Sequence, residues 1–196
     1  MDNFTRIQRE DGMWNFRKPD GTILSEEWFE HAWDFWEGFA RVQRAGCYYN
    51  FLKPDGTLLS KEWFERVENF SEGFAVIQRA GGYYNFLKPD GTFLSEEWFD
   101  CADGFWEGFA VVQRKDKMYN FLKPDGTFLS EEWFDWARGF CEGFASLCGF
   151  ASFLTTLGCI FCSFCAIRAF RASSAAAASA SLKFLPIPRP ISLSPM

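Results

Sequence analysis

The chain has 196 residues, of which 48% are hydrophobic and 20% aromatic, ample for a core within a single domain. All 26 acidic residues precede Phe144 together with 16 of the 20 Lys and Arg, a net charge of −10 over that stretch and +4 after it. So acidic a body excludes nucleic acid as a partner, because that binding depends on Lys and Arg neutralising phosphates.

The opening, MDNFTRIQRE, is polar and acidic where a secretory signal needs a basic segment followed by an apolar one. Seven Cys is an odd number, and Cys47, Cys101 and Cys141 fall in three different repeat positions, so no ladder of disulfides runs through them. Both features predict a cytoplasmic protein with reduced thiols.

The sequence YNFLKPDGTFLSEEWF at 119–134 recurs nearly unchanged at 84–99 and 49–64 and in altered form at 14–29, each copy 35 residues from the last. A fixed period of this size marks an array of one supersecondary unit stacked on its copies. Starting the unit at the Phe after Glu-Gly gives four copies without insertion, 4–38, 39–73, 74–108 and 109–143.

Each copy opens with a run such as FARVQR at 39–44 or FAVVQR at 109–114, whose alternation predicts a strand with Phe109, Val111 and Gln113 on one face. Turn residues follow, Ala80-Gly81-Gly82 in the third copy, and then an aromatic run, Tyr83 to Phe86, which completes a β-hairpin. The second strand ends in Lys-Pro-Asp-Gly in every copy, where Pro presets φ and Gly accepts a positive one. Thr92, Phe93 and Leu94 supply a third short strand, Ser95 is placed to cap a single helical turn, and a long aromatic loop such as 103–108 closes the unit.

These residues resemble the WG-repeat family of bacterial β-repeat arrays. The resemblance rests on the aromatic pair Tyr84 and Phe86, the Pro-Asp-Gly turn, the step Trp98-Phe99-Asp100 and the join Glu107 to Ala110, and it covers 4–145. Tyr-Asn or Trp-Asn stands where the family's naming Trp-Gly dipeptide would be. The resemblance implies an all-β repeat scaffold, solenoid-like or propeller-like, and no established enzyme activity.

Two aromatic columns recur in all copies, Phe16, Phe51, Phe86 and Phe121, and Trp28, Trp63, Trp98 and Trp133; both are expected to pack as core ladders between units. The columns that vary are free of scaffold demands. One reads His31, Arg66, Cys101, Trp136; a second Trp33, Glu68, Asp103, Arg138; a third Trp36, Ser71, Trp106, Cys141. Stacked along one edge of the array, the loops holding these columns predict a partner-binding surface made by His31, Trp33, Trp36, Arg66, Glu68, Asp103, Trp106, Trp136 and Arg138, since Trp and Arg are common interface anchors.

After Ala145 the pattern breaks. Residues 143–167 carry no charge over 25 positions, a length that spans a bilayer, and Phe150, Phe153, Leu157, Ile160, Phe164 and Ile167 fall at helical spacing. A hydrophobic helix is therefore expected within 144–171, followed by a disordered Ala/Ser/Pro tail at 172–196. The helix has three readings: a membrane anchor, a cap on the array, or the remnant of a fifth copy lost to a reading-frame accident. Arg168, Arg171, Lys183 and Arg189 follow it, which by the positive-inside rule would send the acidic body across the membrane.

Catalytic chemistry finds little footing. Cys159, Cys162 and Cys165 spell part of a cluster motif, but Ala169 stands where the next ligand is due. His31 is the only imidazole, the turn Asp residues come one per copy, too few oxygens for calcium, and no nucleotide-binding glycine loop is present. These features predict no catalytic residue, no cofactor and no metal, and a non-enzymatic scaffold that binds a protein. The alternatives are a carbohydrate or cell-wall module, because 81–94 looks similar to the aromatic hairpins of choline-binding repeats, and a scaffold attached to the membrane through 143–167.

Overall fold

The computed structural model describes residues 4–141, 144–148 and 168–171, with side chains over 4–139. The described chain is all-β. Its strands are β1 (Thr5–Gln8), β2 (Trp14–Arg17), β3 (His31–Trp36), β4 (Phe39–Arg44), β5 (Tyr48–Leu52), β6 (Arg66–Val67), β7 (Ala75–Gln78), β8 (Tyr84–Leu87), β9 (Cys101–Ala102), β10 (Ala110–Gln113), β11 (Tyr119–Leu122), β12 (Trp136–Cys141), β13 (Phe144–Cys148) and β14 (Arg168–Arg171).

Each alternating run pairs with the aromatic run after it as the sequence predicted: Val76 lies opposite Phe86 and Val111 opposite Phe121 in antiparallel register. The third strand of each sheet has a different source. Residues 92–94 contribute only an isolated bridge, Leu87 to Phe93, whereas the span read as a closing loop is itself extended and pairs with the first strand of the next copy. The sheets run β3-β4-β5, β6-β7-β8, β9-β10-β11 and β12-β13-β14, with β1-β2 a two-stranded sheet. Each closing strand thus crosses the copy boundary and ties one unit to the next by backbone hydrogen bonds.

The sheets are sandwiched between aromatic seams. Ala75 and Ile77 of β7 face a cluster with Phe51, Phe64 and Phe70, while Val76 faces a second cluster with Phe86, Phe99 and Phe105, so a four-residue strand is buried on both faces. Across each seam the Phe that follows a short closing strand stacks on the Phe that opens the same copy, Phe70 on Phe39 at 4.4 Å and Phe105 on Phe74 at 4.3 Å. The Phe16, Phe51, Phe86 and Phe121 column is core, as expected, and Phe29, Phe64, Phe99 and Phe134 form a second buried column.

The Trp28, Trp63, Trp98 and Trp133 column is only partly core, with Trp63, Trp98 and Trp133 packed against the buried clusters. These rings are half-buried, and an Arg guanidinium covers each: Arg9 over Trp28, Arg44 over Trp63, Arg79 over Trp98 and Arg114 over Trp133, at 4.7, 4.5, 4.2 and 4.4 Å. The indole offers a face to a cation that can stay partly hydrated, which a Phe in the seam cannot do.

Two further devices lock a unit internally and to its neighbour. Asn85, fully buried, donates through Nδ2 to the Ser95 and Glu97 carbonyls and accepts at Oδ1 from the Phe86 amide, and Asn15, Asn50 and Asn120 repeat the pattern. The Ser95 hydroxyl accepts from the Glu97 amide in a bend, not in a helical turn. Gly56 and Gly91 of the Pro-Asp-Gly turns have φ of 87° and 82°, and a Cβ on either would sit 2.0 or 2.3 Å from the Leu24 or Leu59 carbonyl oxygen of the preceding unit.

The helix expected within 144–171 is corrected at both ends. Phe144–Cys148 is β13 and Arg168–Arg171 is β14, paired with each other through Phe144 with Arg171 and Leu147 with Arg168. Phe144-Ala145 repeats the opening Phe-Ala of the second, third and fourth copies, and β12 pairs with it as the earlier closing strands pair with theirs, so backbone pairing overrides the apolar pattern here. The expected span between these strands and the tail at 172–196 lie outside the described residues.

Candidate binding site

The varying columns are divided between closing strands and the segments after them: His31, Trp33 and Trp36 lie on β3, Arg66 on β6, Cys101 on β9, and Trp136 and Arg138 on β12, whereas Glu68, Ser71, Asp103 and Trp106 follow the two-residue strands β6 and β9. In β3 the side chains alternate, with Ala32 buried and His31 and Asp34 exposed. His31 pairs with Gln43 near the turn between β4 and β5, while Trp36 pairs with Phe39 at the Glu-Gly turn. Five residues of strand put these two about 16 Å apart.

At the Glu-Gly end, Glu37, Glu72 and Glu107 adopt positive φ of 46°, 52° and 51°. The Glu72 carboxylate accepts hydrogen bonds from the Glu107 and Gly108 amides of the next unit at 2.9 and 2.8 Å. Trp36 donates its indole N–H to the Phe70 carbonyl at 3.1 Å, and the Ser71 hydroxyl donates to the Phe105 carbonyl at the same distance. The Trp36 and Trp106 rings nevertheless stand 60% and 63% exposed. Trp136 is exposed at the opposite end of its strand, and Arg138 follows it on β12. Asp103 follows β9, where its amide donates to the Val111 carbonyl.

The residues that converge are Trp33, Arg66 and their neighbours. Trp33 and Arg66 line one cavity of about 350 Å³ between the β3-β4-β5 and β6-β7-β8 sheets. His31 flanks Trp33 at 6.1 Å between ring centres, and Arg66 Nη2 holds Glu68 at 2.9 Å. The cavity's other walls are Arg41, Tyr49, Glu65, Val67 and Gln78, none of which the column comparison selected.

Arg41 is the chemical centre of this cavity. Position 41 lies on the strand face that meets the next seam, and the same position in the later copies holds Val76 and Val111, both buried in their clusters. The departure was legible in the sequence as Arg6 and Arg41 at the position where the third and fourth copies carry Val76 and Val111. A β-bulge between Ala32 and Phe35 sets Trp33 and Asp34 opposite the single residue Arg41, which brings the indole over the guanidinium at 4.0 Å.

Arg41 Nε is buried and has no hydrogen-bond partner. Burial pulls the guanidinium below the usual arginine range, with nearby Tyr49 opposing the shift. Arg6 at the corresponding position in the first copy is satisfied, donating to the Ala32 carbonyl at 2.8 Å with Asp34 at 3.8 Å. Arg41 has no ion-pair partner among the described residues, and Glu65 lines the cavity without coming within ion-pair distance.

No group of three or more His, Cys, Asp or Glu able to hold a metal occurs among the described residues. No helix among them is long and apolar enough to cross a membrane. Cys159, Cys162 and Cys165 lie outside them.

The chain matches no family model. No curated protein matches it. Among solved structures it is similar to the computationally designed Ika8 protein, at 14% identity over 75% of this chain and 52% of that one, with a TM-score of 0.38. It is also similar to the computationally designed Ika4 protein, at 10% identity over 71% and 88% of the two chains and a TM-score of 0.38. The WD40 β-propeller domain of Doa1 aligns at 12% identity over 74% and 57%, with a TM-score of 0.32. The chain spans about half the length of the Ika8 chain.

Proposed function

We propose that the chain is a non-enzymatic repeat scaffold that binds a protein partner through side chains carried on its closing strands and Glu-Gly turns. The observation that carries this reading is the exposure of Trp36, Trp106 and Trp136 at 60%, 63% and 46% on a fold whose seams are filled by Phe. Trp is among the residue types enriched at the energetic centres of protein interfaces. The resemblance of the units to WG repeats points to the same kind of scaffold.

Affinity capture with the full chain, beside a variant carrying Trp36→Ala, Trp106→Ala and Trp136→Ala, tests the reading. A partner recovered by the parent is expected to fall at least tenfold with the variant at unchanged circular dichroism. Equal recovery by the two folded chains overturns it.

A further inference from the structure

The geometry points to a carboxylate-binding site at Arg41, in which an acidic group on a peptide enters the cavity between the β3-β4-β5 and β6-β7-β8 sheets and meets a guanidinium that lies over the Trp33 ring. This deepens the scaffold reading by stating what part of the partner one seam takes, and it rests on that reading only for the source of the peptide.

Four observations converge. The first is substitution of a core position by a cation: where the following seams bury Val76 and Val111, this one places Arg41, and a cavity of about 350 Å³ opens beside it. That volume is at the small end of ligand pockets and suits a side chain or a chain terminus better than a larger molecule. Second, the cation is fixed in orientation. Trp33 covers its face at 4.0 Å, and its Nε is closed off without a partner, so the terminal Nη1 and Nη2 groups are what it offers to a ligand. Two N–H groups in one plane match the two oxygens of a carboxylate.

Third, the charge of the walls selects the ligand. Arg66 is already paired with Glu68, which leaves Arg41 and Glu65 as the unpaired cation and anion of the lining. A singly charged carboxylate pairs with the guanidinium at the smaller repulsion from Glu65, which a phosphate dianion would meet with twice the charge. Fourth, the equivalent Arg6 shows what the scaffold does when no ligand is intended: its guanidinium bonds to the Ala32 carbonyl and sits near Asp34. Val67 occupies the position of Ala32 in the next unit and lines the cavity, yet Arg41 makes no such bond. Burial already lowers the Arg41 pKa, and an anion arriving at the guanidinium opposes that shift.

Titration of the purified full chain, followed by the nuclear magnetic resonance signals of the Trp33 indole N–H and the Arg41 side chain, tests this without any cellular partner. The probes are N-acetyl-glutamate N-methylamide, carrying only a side-chain carboxylate; N-acetyl-alanine, carrying only a terminal one; N-acetyl-glutamine N-methylamide, which is neutral; and inorganic phosphate. Saturable shifts are expected with at least one carboxylate probe, and the tighter of the two identifies the source. The neutral probe and phosphate are expected to bind at least tenfold more weakly.

Arg41→Val is the control that keeps the fold, since Val stands at this position in the third and fourth copies, and it is expected to abolish the shifts with no loss of melting temperature. Binding by the neutral probe as tight as by the carboxylates, tighter binding of phosphate, retention of binding in Arg41→Val, or no saturable shift at all overturns the proposal. Loss of partner capture in the tryptophan variant would leave this result untouched, because Trp36, Trp106 and Trp136 do not line the cavity.

Discussion

Phe105 and Trp106 are consecutive residues of one closing strand segment, yet the first is 2% exposed and the second 63%. The same contrast divides the whole array. On the inner side, Phe16, Phe51, Phe86 and Phe121 and the four buried Asn are identical in every copy, because each touches the neighbouring unit or closes its own bends. On the outer side, the positions of His31, Arg66, Cys101 and Trp136 share a backbone and nothing else. A side chain in a seam is constrained by two units at once, whereas one on the outer face answers only to water and to whatever binds there.

The largest test of that division is a pair of alanine substitutions. Phe105→Ala removes a ring stacked on Phe74 at 4.3 Å and packed against Phe86, and is expected to cost about 3–5 kcal/mol in chemical denaturation. Trp106→Ala, one residue on, is expected to change stability by no more than about 0.5 kcal/mol. Comparable losses from the two would break the distinction between seam and surface.

Asn85→Ala should come next. It strands the Ser95 and Glu97 carbonyls and the Phe86 amide in a buried bend, and a loss of about 3 kcal/mol is expected from the urea midpoint. Loss within experimental error would mean that the Asn column marks a preference of the bend and not a structural lock.

The turn glycines sharpen the comparison further. Gly56→Ala must place a Cβ 2.0 Å from the Leu24 carbonyl oxygen, while Gly21→Ala meets nothing within 4 Å although φ is 87° in both. The first is expected to cost about 3 kcal/mol or more in thermal melts and the second about 1 kcal/mol, the share owed to backbone conformation alone. Equal costs would show that the seam yields at this point.

The smallest expected effect is one of pH. Thr22, Thr57, Thr92 and Thr127 each donate a hydroxyl and an amide to the Asp two residues before, and these hydrogen bonds hold the carboxyls of Asp20, Asp55, Asp90 and Asp125 below the usual carboxylate range. A depressed folded-state pKa contributes stability above the unfolded carboxylate range and loses it as pH falls through the folded value. Denaturation midpoints should therefore fall on acidification below about pH 4, and Asp90→Asn, which keeps the turn and removes the titration, should lessen the slope. An unchanged slope would assign the acid sensitivity to other groups.

How much was legible in advance follows the range of each interaction. The hairpins could be read because alternation and turn chemistry are local, and the Phe ladders because a strict period repeats them. The third strand could not: Arg66-Val67 and Cys101-Ala102 are two-residue strands with no alternation to detect, and their pairing is with the following copy. The span at 144–171 misled for a related reason, since helical spacing of apolar residues says nothing about a neighbouring strand with an open edge. Of the nine residues selected as a surface, Trp33 and Arg66 meet in the cavity, with His31 and Glu68 beside them. Arg41 stands outside the varying columns because it lies on a first strand, β4, and not in a closing segment.

The amino-acid order alone determined the period, the number of copies, the hairpin within each, and the turn that ends it, all of which depend on residues close together in the chain. Tertiary structure decided that a unit completes its sheet with a strand from the unit before it, that the Trp column serves as a seat for Arg, and that Arg41 faces a cavity instead of a packed core. Those outcomes depend on which surfaces meet across a seam, and no local pattern encodes a contact whose two sides come from separate copies.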